Sequence, residues 1–451
     1  MTAPTIVWMR DDLRLADNPA LSAAAQRGAP TVLLYLLDEQ SPEMRPIGAA
    51  SRWWLHGSLG SLDAATGGKL VLRRGAAETV IPALVAETGA EAVFWNRRYG
   101  SAREIDARLK LSLRERGLDA QSFQANLLFE PWTVKTGDGN PFRVFTPFWR
   151  AARETAVRAP LPAPGHGGTT VVWATAASDE LESWELLPAR PDWAAGLRES
   201  WHPGEEGAHD QLESFAQERL ASYHRRDEPA VEATSRLSPH LRFGEISPFQ
   251  VWERMHGDLS AAAIKNVAKF LSEIGWREFN ANILFHSPAL AEKNYRPAYD
   301  AFPWSTPEPA ELEAWQHGRT GIPIVDAGMR ELWHTGYMHN RVRMIVASLL
   351  IKNMLIDWRI GEKWFWDCLV DADEASNPGN WQWVAGSGAD AAPYFRVFNP
   401  QLQADKFDPA RKYIRRWVPE FGTADYPEPI VDLAQSRKDA LAAYEKVKAA
   451  G

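Results

Sequence analysis

Asp371, Asp373, Asn377, Trp381 and Trp383 crowd into one stretch, DADEASNPGNWQW (371–383), followed by VAGSGADAAPYFRVFNP. Two carboxylates and an amide can hydrogen-bond a polar heterocycle. Two indoles can stack on a flat ring or pass electrons. The stretch reads as polar and turn-forming, with a Gly-Ser-rich loop after it, and it holds too many special residues for a plain connector. No hydrolytic pattern accompanies it: there is no G-x-S-x-G, no H-E-x-x-H and no metal-ligand spacing, so no metal site is expected. A bound chromophore that brings its own redox chemistry fits these residues better.

Three further groups carry chemistry. In YHRRDEPAVEATSRLSPHLRFGEIS (223–247), the run Thr234, Ser235, Arg236, Leu237 and Ser238 sits before Pro239. Hydroxyls, backbone amides and an Arg beside a helix start make an anion site, although an ordinary helix cap explains them as well. In EIGWREF (273–279), Glu273, Trp276 and Arg277 share one helical face. An acid, a ring and a guanidinium so placed suit a heterocyclic ligand; the plainer alternative is a solvent-facing Glu273–Arg277 pair with Trp276 in the core. In GYMHNRVRMIVASLLIKNMLIDW (336–358), Asn340, Arg341, Arg343 and Met344 cluster where a long apolar helix begins. An Arg there needs an anionic partner, or is simply one half of an internal ion pair.

The elements that must hold these residues fall into two textures. TIVWMR (5–10), TVLLYLLD (31–38), KLVLRRG (69–75) and AVFWNRRY (92–99) read as buried strands. Helical stretches at 51–65, 76–89 and 101–117 alternate with them, which predicts a doubly wound parallel α/β sheet. MRDDLRLADNP stands after the first strand, where a dinucleotide fingerprint would carry G-x-G-x-x-G. Residues 130–205, rich in Pro and Gly at LPAPGHGGTT (161–170), read as a long surface linker with room for one helix. From 206 to 451 strand patterns nearly vanish. Helices are predicted at 209–226, 247–259, 264–286, 309–318, 325–336, 339–358 and 361–371, with a polar helix at the end. The predicted division is an α/β domain at 1–129, the linker, and an all-α domain at 206–451.

The chain has 451 residues, one cysteine (Cys368), 21 tryptophans and a net charge of −8. A single cysteine excludes a disulfide framework and points to a reducing compartment, the cytoplasm. The start, MTAPTIVWMRDDLRL, is no secretory signal, and MIVASLLI (344–351) is too short to span a bilayer. No extended apolar patch demands a dimer, so a monomer is expected. The acidic balance argues against global nucleic-acid binding but leaves room for a local basic patch. Most of the tryptophans belong to an aromatic-rich core.

VWMRDDLRLADNPAL, TSRLSPHL, WREF, GIPIVDAGMRELWHTGYMHNRVRMI and NWQWVAGSGADAAPYFRVFNP together resemble the photolyase/cryptochrome family along nearly the whole chain. FTPFWRA (145–151) and SNPGNWQWVAGSGADA look like the class III cyclobutane pyrimidine dimer photolyases. The resemblance implies an antenna domain, a linker and a helical domain binding FAD. It implies light-driven DNA repair, in which excited, reduced flavin donates an electron to a pyrimidine dimer flipped out of the duplex. Tyr223 and Thr234 to Ser238 would then bind the phosphate and ribityl region. Arg277, Asn340, Arg343, Asp371, Asp373 and Asn377 would line the flavin, with Asp371 paired to Arg343 and the Asn377 amide at the flavin N5. Trp381, Trp358 and Trp304 match the family's electron-transfer chain. Trp383 and Trp276 would hold the flipped dimer. Glu273 would hydrogen-bond it and Met344 would contact it. Arg226, Arg341, Gln403 and Lys406 match positions that touch the DNA strand, and RKYIRR (411–416) is either a further phosphate contact or a solvated face.

Two departures matter. Phe270 stands where many class I members carry Trp, and YGSAREID (99–106) lacks the Asn-Glu pair that binds folate in bacterial class I enzymes. The class III texture still implies a methenyltetrahydrofolate antenna, with residues left unassigned. The competing expectation is a cryptochrome-like blue-light sensor. The short C-terminal tail, Asn377, Glu273, Trp276, Met344 and Trp383 argue for repair instead.

Overall fold

The computed structural model describes residues 2–165, 170–391 and 395–450. Residues 166–169 of the Pro/Gly-rich stretch and 392–394 of the motif running to 400 lie outside these. Five strands, β1 (Thr5–Met9), β2 (Thr31–Leu37), β3 (Leu70–Arg74), β4 (Ala92–Asn96) and β5 (Asp119–Phe123), form one parallel sheet in the order β3-β2-β1-β4-β5. Helices α1 (Pro19–Arg27), α2 (Ala49–Ala65), α3 (Ala77–Thr88) and α4 (Arg103–Glu115) alternate with the strands. The central strands are continuous apolar runs because both faces are covered. Val7, Leu33 and Phe94 pack with Trp54 on one side; Ile6, Val32 and Trp95 pack with Leu109 on the other.

The order reverses between β1 and β4, where such sheets usually open a ligand crevice. Hydrogen-bonded polar side chains lie at that crevice here. Arg10 donates to both oxygens of Asp106 at 2.9 and 3.0 Å. Asn96 Nδ2 donates to Asp12 Oδ2 at 2.6 Å and to Asn18 Oδ1 at 2.8 Å.

The strand β5 escapes the sequence pattern. DAQSF is polar, and as an edge strand it stays half-buried. The segment 130–205 holds α5 (Phe145–Ala152), a short 3-10 turn (Leu181–Trp184) and α6 (Ala195–Ser200), more than the single helix expected. It also runs back along the sheet, with Thr31 N donating to Val172 O and Ala174 N to Thr31 O.

The rest is helical: α7 (Glu205–Ser214), α8 (Ser238–Phe243), α9 (Pro248–His256), α10 (Ala261–His286), α11 (Pro309–Gln316), α12 (Pro323–Thr335), α13 (Asn340–Ser348), α14 (Trp358–Cys368), α15 (Ser376–Ala385), α16 (Pro400–Phe407), α17 (Lys412–Trp417) and α18 (Leu433–Ala450). Two expected helices are broken. The stretch 209–226 widens from α7 into a π turn at Phe215–Arg219 and then tightens into a 3-10 turn at Leu220–Arg225. The stretch 339–358 ends α13 at Ser348, passes a π turn, and turns at Leu355, whose φ is +54°. Asp357 then caps α14 by accepting from Arg359 N.

The reading of NPGNWQW as a turn is also overturned, because it is the body of α15. Pro378 lies in the first turn, where its missing N–H has no intrahelical partner to lose. Asp373 Oδ1 accepts from Ala375 N and Ser376 N at 2.8 and 2.6 Å and starts the helix.

Glu245, fully buried, ties the two halves together. It accepts from Trp54 Nε1 and Ser58 Oγ of α2, from Gly204 N, and is paired with His240 of α8. Glu245→Ala leaves those groups buried without an acceptor, and should lower stability by about 3 kcal/mol. A urea midpoint equal to the parent's would show that these bonds do not hold the halves together.

Candidate functional site

One cavity of about 760 Å³ opens between the sheet and the helices, and it gathers most of the expected residues. Tyr223, Ser235, Leu237, Ser238, Arg277, Asn340, Arg343, Asp371, Asp373, Asn377 and Trp381 line it, as do Glu273, Trp276, Arg341, Met344 and Trp383.

Its floor is an ion pair. Arg343 on α13 donates to Asp371 through both terminal nitrogens, at 3.1 and 2.8 Å, and its Nε donates to Met338 O. Ser238 Oγ adds a third bond to Asp371 at 2.7 Å. Burial disfavours the Arg343 charge, but the Asp371 carboxylate more than offsets this and holds the guanidinium above its ordinary range. Asn340 lies one turn earlier on α13, which His339 caps by accepting from Arg341 N.

The 234–238 run divides. Ser235, Leu237 and Ser238 face the cavity. Thr234 and Arg236 stand outside its lining: Arg236, with φ +54°, turns away and lies 4.3 Å over the Trp201 ring. The buried ring of Tyr223 packs on Phe215 and Phe270. The site therefore keeps its aromatic wall with Phe where Trp is common.

Arg277 does not pair with Glu273. It donates to Asn126 O at 2.6 Å and to Leu241 O at 3.3 Å, so the chain after β5 fixes it. Glu273 instead meets Lys269 at 2.9 Å and Arg226 at 3.7 Å, at the rim. Trp276, half-buried, stacks on Phe145 with ring centroids 3.9 Å apart and planes 9° from parallel. Trp383 is held by its Nε1 donating to Asp390 O at 3.1 Å. Met344 Sδ lies 3.7 Å from Arg341 Nη1, while Arg341 Nη2 donates to Asp227 at 3.0 Å. Arg226, Gln403 and Lys406 lie outside the cavity lining. Arg226 reaches the rim through Glu273. Exposed Lys406 and half-buried Gln403 belong to α16, which touches the rim where Arg341 covers Phe407 at 4.5 Å.

The three tryptophans expected in a chain are differently placed. Trp381 lines the cavity and packs edge-on to Phe365 at 4.9 Å and to Trp315 at 6.3 Å. Its ring lies against Gly361, three residues into α14 from the fully buried Trp358. Trp358 Nε1 donates to Asn294 Oδ1 at 2.9 Å. Trp304 is half-buried beside Phe302 at 4.3 Å, and the next residue, Ser305, bridges to Ile356 just ahead of Trp358. Trp358 and Trp304 both stand outside the cavity lining, the first fully buried and the second half-buried.

Asn377 reveals a partner that the sequence reading missed. Its Nδ2 donates to Glu362 Oε1 at 2.8 Å and to Glu362 O at 3.0 Å. Glu362 is itself held by Arg45, 317 positions away, so no local pattern could disclose it. Phe145 was also missed, although FTPFWRA was noted as a texture.

The cavity continues to the sheet, where Trp8, Tyr35, Glu39, Arg98, Trp366 and Glu374 line a second lobe. Burial, with Asp11 close by, pushes the Glu374 carboxyl above its usual range. Among the described residues, no helix is long and apolar enough to cross a membrane.

Comparison with known proteins identifies this arrangement. A family described as "DNA photolyase" matches residues 5–165, and one described as "FAD binding domain of DNA photolyase" matches 270–424. A deoxyribodipyrimidine photo-lyase of Agrobacterium fabrum is 48% identical over 478 residues, spanning 99% of this chain and 98% of its own. Cryptochrome-2 of Arabidopsis thaliana is 37% identical, over 93% of this chain and 71% of its own. The crystal structure of a bacterial class III photolyase from Agrobacterium tumefaciens superposes with a TM-score of 0.94 at 48% identity, covering 100% of this chain and 98% of that one. An archaeal photolyase from Sulfolobus tokodaii, solved with two FAD molecules, gives 0.83 at 29% identity, covering 98% and 99%.

The Trp381 placement is directly testable. A Cβ at Gly361 would lie 2.2 Å from Trp381 Cη2. Gly361→Ala should therefore displace the ring and cost about 1–3 kcal/mol, as overpacked cores do. An unaltered thermal midpoint together with unaltered tryptophan fluorescence would contradict this packing.

Proposed function

The chain belongs to the DNA photolyase family, and on that premise we propose that it repairs cyclobutane pyrimidine dimers in DNA under near-UV or blue light. One observation carries the reading. A single cavity joins the Arg343–Asp371–Ser238 floor to a rim of Glu273, Trp276, Met344 and Trp383. A cofactor on the floor and a flipped dimer at the rim would then be neighbours. The division into an antenna domain at 1–129, a linker and a catalytic domain at 206–451 follows the same premise, supported by a sheet that ends at Phe123.

The residues present fit FAD. The cavity volume falls within the range of cofactor pockets, roughly 300–1,000 Å³. Its floor offers donors of the kind an anionic, hydroxyl-rich ligand needs: Ser235, Ser238, Arg277, Asn340 and Arg343. Arg341 Nε, buried at the same rim, has no protein partner. Reduced FAD, when bound and excited, supplies the electron that opens the cyclobutane ring and receives it back when the pyrimidines separate.

The chain's own groups do the rest. Arg277, held by two carbonyls, and Arg343, held by Asp371, fix positive charge beside the ligand without needing to reorganise. Trp276, braced by Phe145, and Trp383, tethered to Asp390 O, give two flat walls for the flipped-out dimer. Glu273, ion-paired with Lys269 and Arg226, accepts hydrogen bonds from the dimer. With Arg341 and Lys406, these cations supply local phosphate contacts on an otherwise acidic protein. Trp381, Trp358 and Trp304 carry electrons inward from the surface for photoreduction.

The second lobe suits an antenna chromophore, and we take methenyltetrahydrofolate as its occupant. Tyr35 offers an aromatic ring, Arg98 a cation and Glu374 a carboxyl able to pair with an amino-pyrimidine edge. A blue-light sensor would use the same flavin floor, but it would have no need of the four rim residues.

Reduced protein mixed with an oligonucleotide carrying one thymine dimer should restore thymine absorbance in light and not in darkness. No recovery with FAD bound would contradict the reading. Glu273→Ala should keep FAD and weaken dimer binding about tenfold, the worth of one charge-assisted hydrogen bond. Unchanged dimer affinity would remove Glu273 from the substrate contacts.

A further inference from the structure

We infer that Arg45, which belongs to the sheet side of the molecule, is a positioning residue for the redox state of the flavin. This rests on the reading above that the Asn377 side chain faces the flavin N5. Arg45 Nη1 and Nη2 donate to Glu362 Oε1 and Oε2 at 2.7 and 2.9 Å, and the Glu362 side chain is only 1% exposed. The same Oε1 accepts from Asn377 Nδ2. Both hydrogens of the Asn377 amide are thus committed to Glu362, one to its carboxylate and one to its backbone carbonyl. Asn377 is left with only its oxygen for the cavity. The opposite amide orientation would press Oδ1 against a carboxylate and is excluded while Glu362 stays charged.

Arg45 compensates that carboxylate with a two-pronged pair. A buried carboxylate without its partner either bears an uncompensated charge or takes up a proton. A protonated Glu362 could donate to Asn377 Oδ1, and the amide would be free to turn its NH2 toward the cavity. The two orientations favour opposite flavin states. An acceptor suits a ring nitrogen that carries hydrogen, as in the reduced flavin; a donor suits a bare ring nitrogen, as in the oxidised one. Arg45 therefore selects the acceptor and, with it, the reduced flavin.

The loop around Arg45 is built to hold it. Its guanidinium lies 3.9 Å over the Trp366 ring, Trp366 Nε1 donates to Pro46 O, and Ala49 N donates to Asp367 Oδ1. Gly48 packs so tightly on the Trp366 backbone that a Cβ would come within 2.1 Å of its carbonyl oxygen. These contacts anchor residues 45–49 along α14 and fix the fork.

The test is a spectroelectrochemical titration of bound FAD in the full-length holoprotein, with the air-oxidation rate of the reduced flavin alongside. Arg45→Met should disfavour the reduced flavin about tenfold, as expected for the loss of a charge-assisted contact. Glu362→Gln should give a shift of the same sign, because its amide can donate to Asn377 Oδ1. Arg45→Lys, which keeps the charge, should restore most of the parent behaviour. Asn377→Ala is measured in parallel. If it shifts the potential while Arg45→Met and Glu362→Gln, both retaining FAD, do not, the role of Arg45 is overturned and the placement of Asn377 stands. If Asn377→Ala shifts nothing either, the placement fails and the inference with it. Should Arg45→Met lose FAD, Glu362→Gln and Arg45→Lys decide the matter in the same way.

Discussion

The Asp371 carboxylate is the constraint on which the site depends. It sits where α8, α13 and the turn into α15 converge, and it takes hydrogen bonds from Arg343 and Ser238. A buried carboxylate must be satisfied, and satisfying it fixes the donors around it. Arg343 is thereby held on the cavity floor. Two residues on, Asp373 starts α15, so the same turn sets the azimuth of Asn377, Trp381 and Trp383. Arg242 accepts no freedom here either: it donates to Ala372 O and to Asp11 on the loop after β1.

Around that point the two halves of the molecule divide the work. Arg10, Asn96, Asp12 and Asn18 are fixed by hydrogen bonds at the crevice of the sheet, and the sheet acts as a wall and a lobe of the shared cavity. The helical half supplies the floor and rim. Glu245 and the contacts of residues 45–49 with α14 keep these surfaces in register. The cavity can be continuous because neither half closes it alone.

Much of this was legible in the sequence, for identifiable reasons. The strands β1 to β4 show as apolar runs because burial on both faces demands it, whereas polar DAQSF at the sheet edge gives no such run. The break between α13 and α14 was hidden because both sides of it are apolar; the turn at Leu355 is set by packing and capping, not by composition. NPGNWQW misled in the other direction, since its Asn, Pro and Gly suggest a turn while Asp373 and the core side of Trp381 impose a helix. Chemical need called for an anionic partner in this segment, the family resemblance named Asp371 as the partner of Arg343, and the pair is present. The Glu273–Arg277 pair was offered on helical spacing alone, and two backbone carbonyls outcompete it. Glu362 and Arg45 were invisible, because a buried carboxylate's partner need not lie near it in the chain.

The most direct measurement is the FAD affinity of Asp371→Asn, read by flavin fluorescence on reconstitution and by the flavin-to-protein ratio after gel filtration, with far-UV circular dichroism as the check on folding. Asn keeps the shape and loses the charge that holds Arg343. The account expects a folded protein that binds FAD roughly a hundredfold more weakly, the order of a broken buried ion pair. A folded variant that keeps stoichiometric FAD at parent affinity would contradict the claim that this carboxylate organises the site.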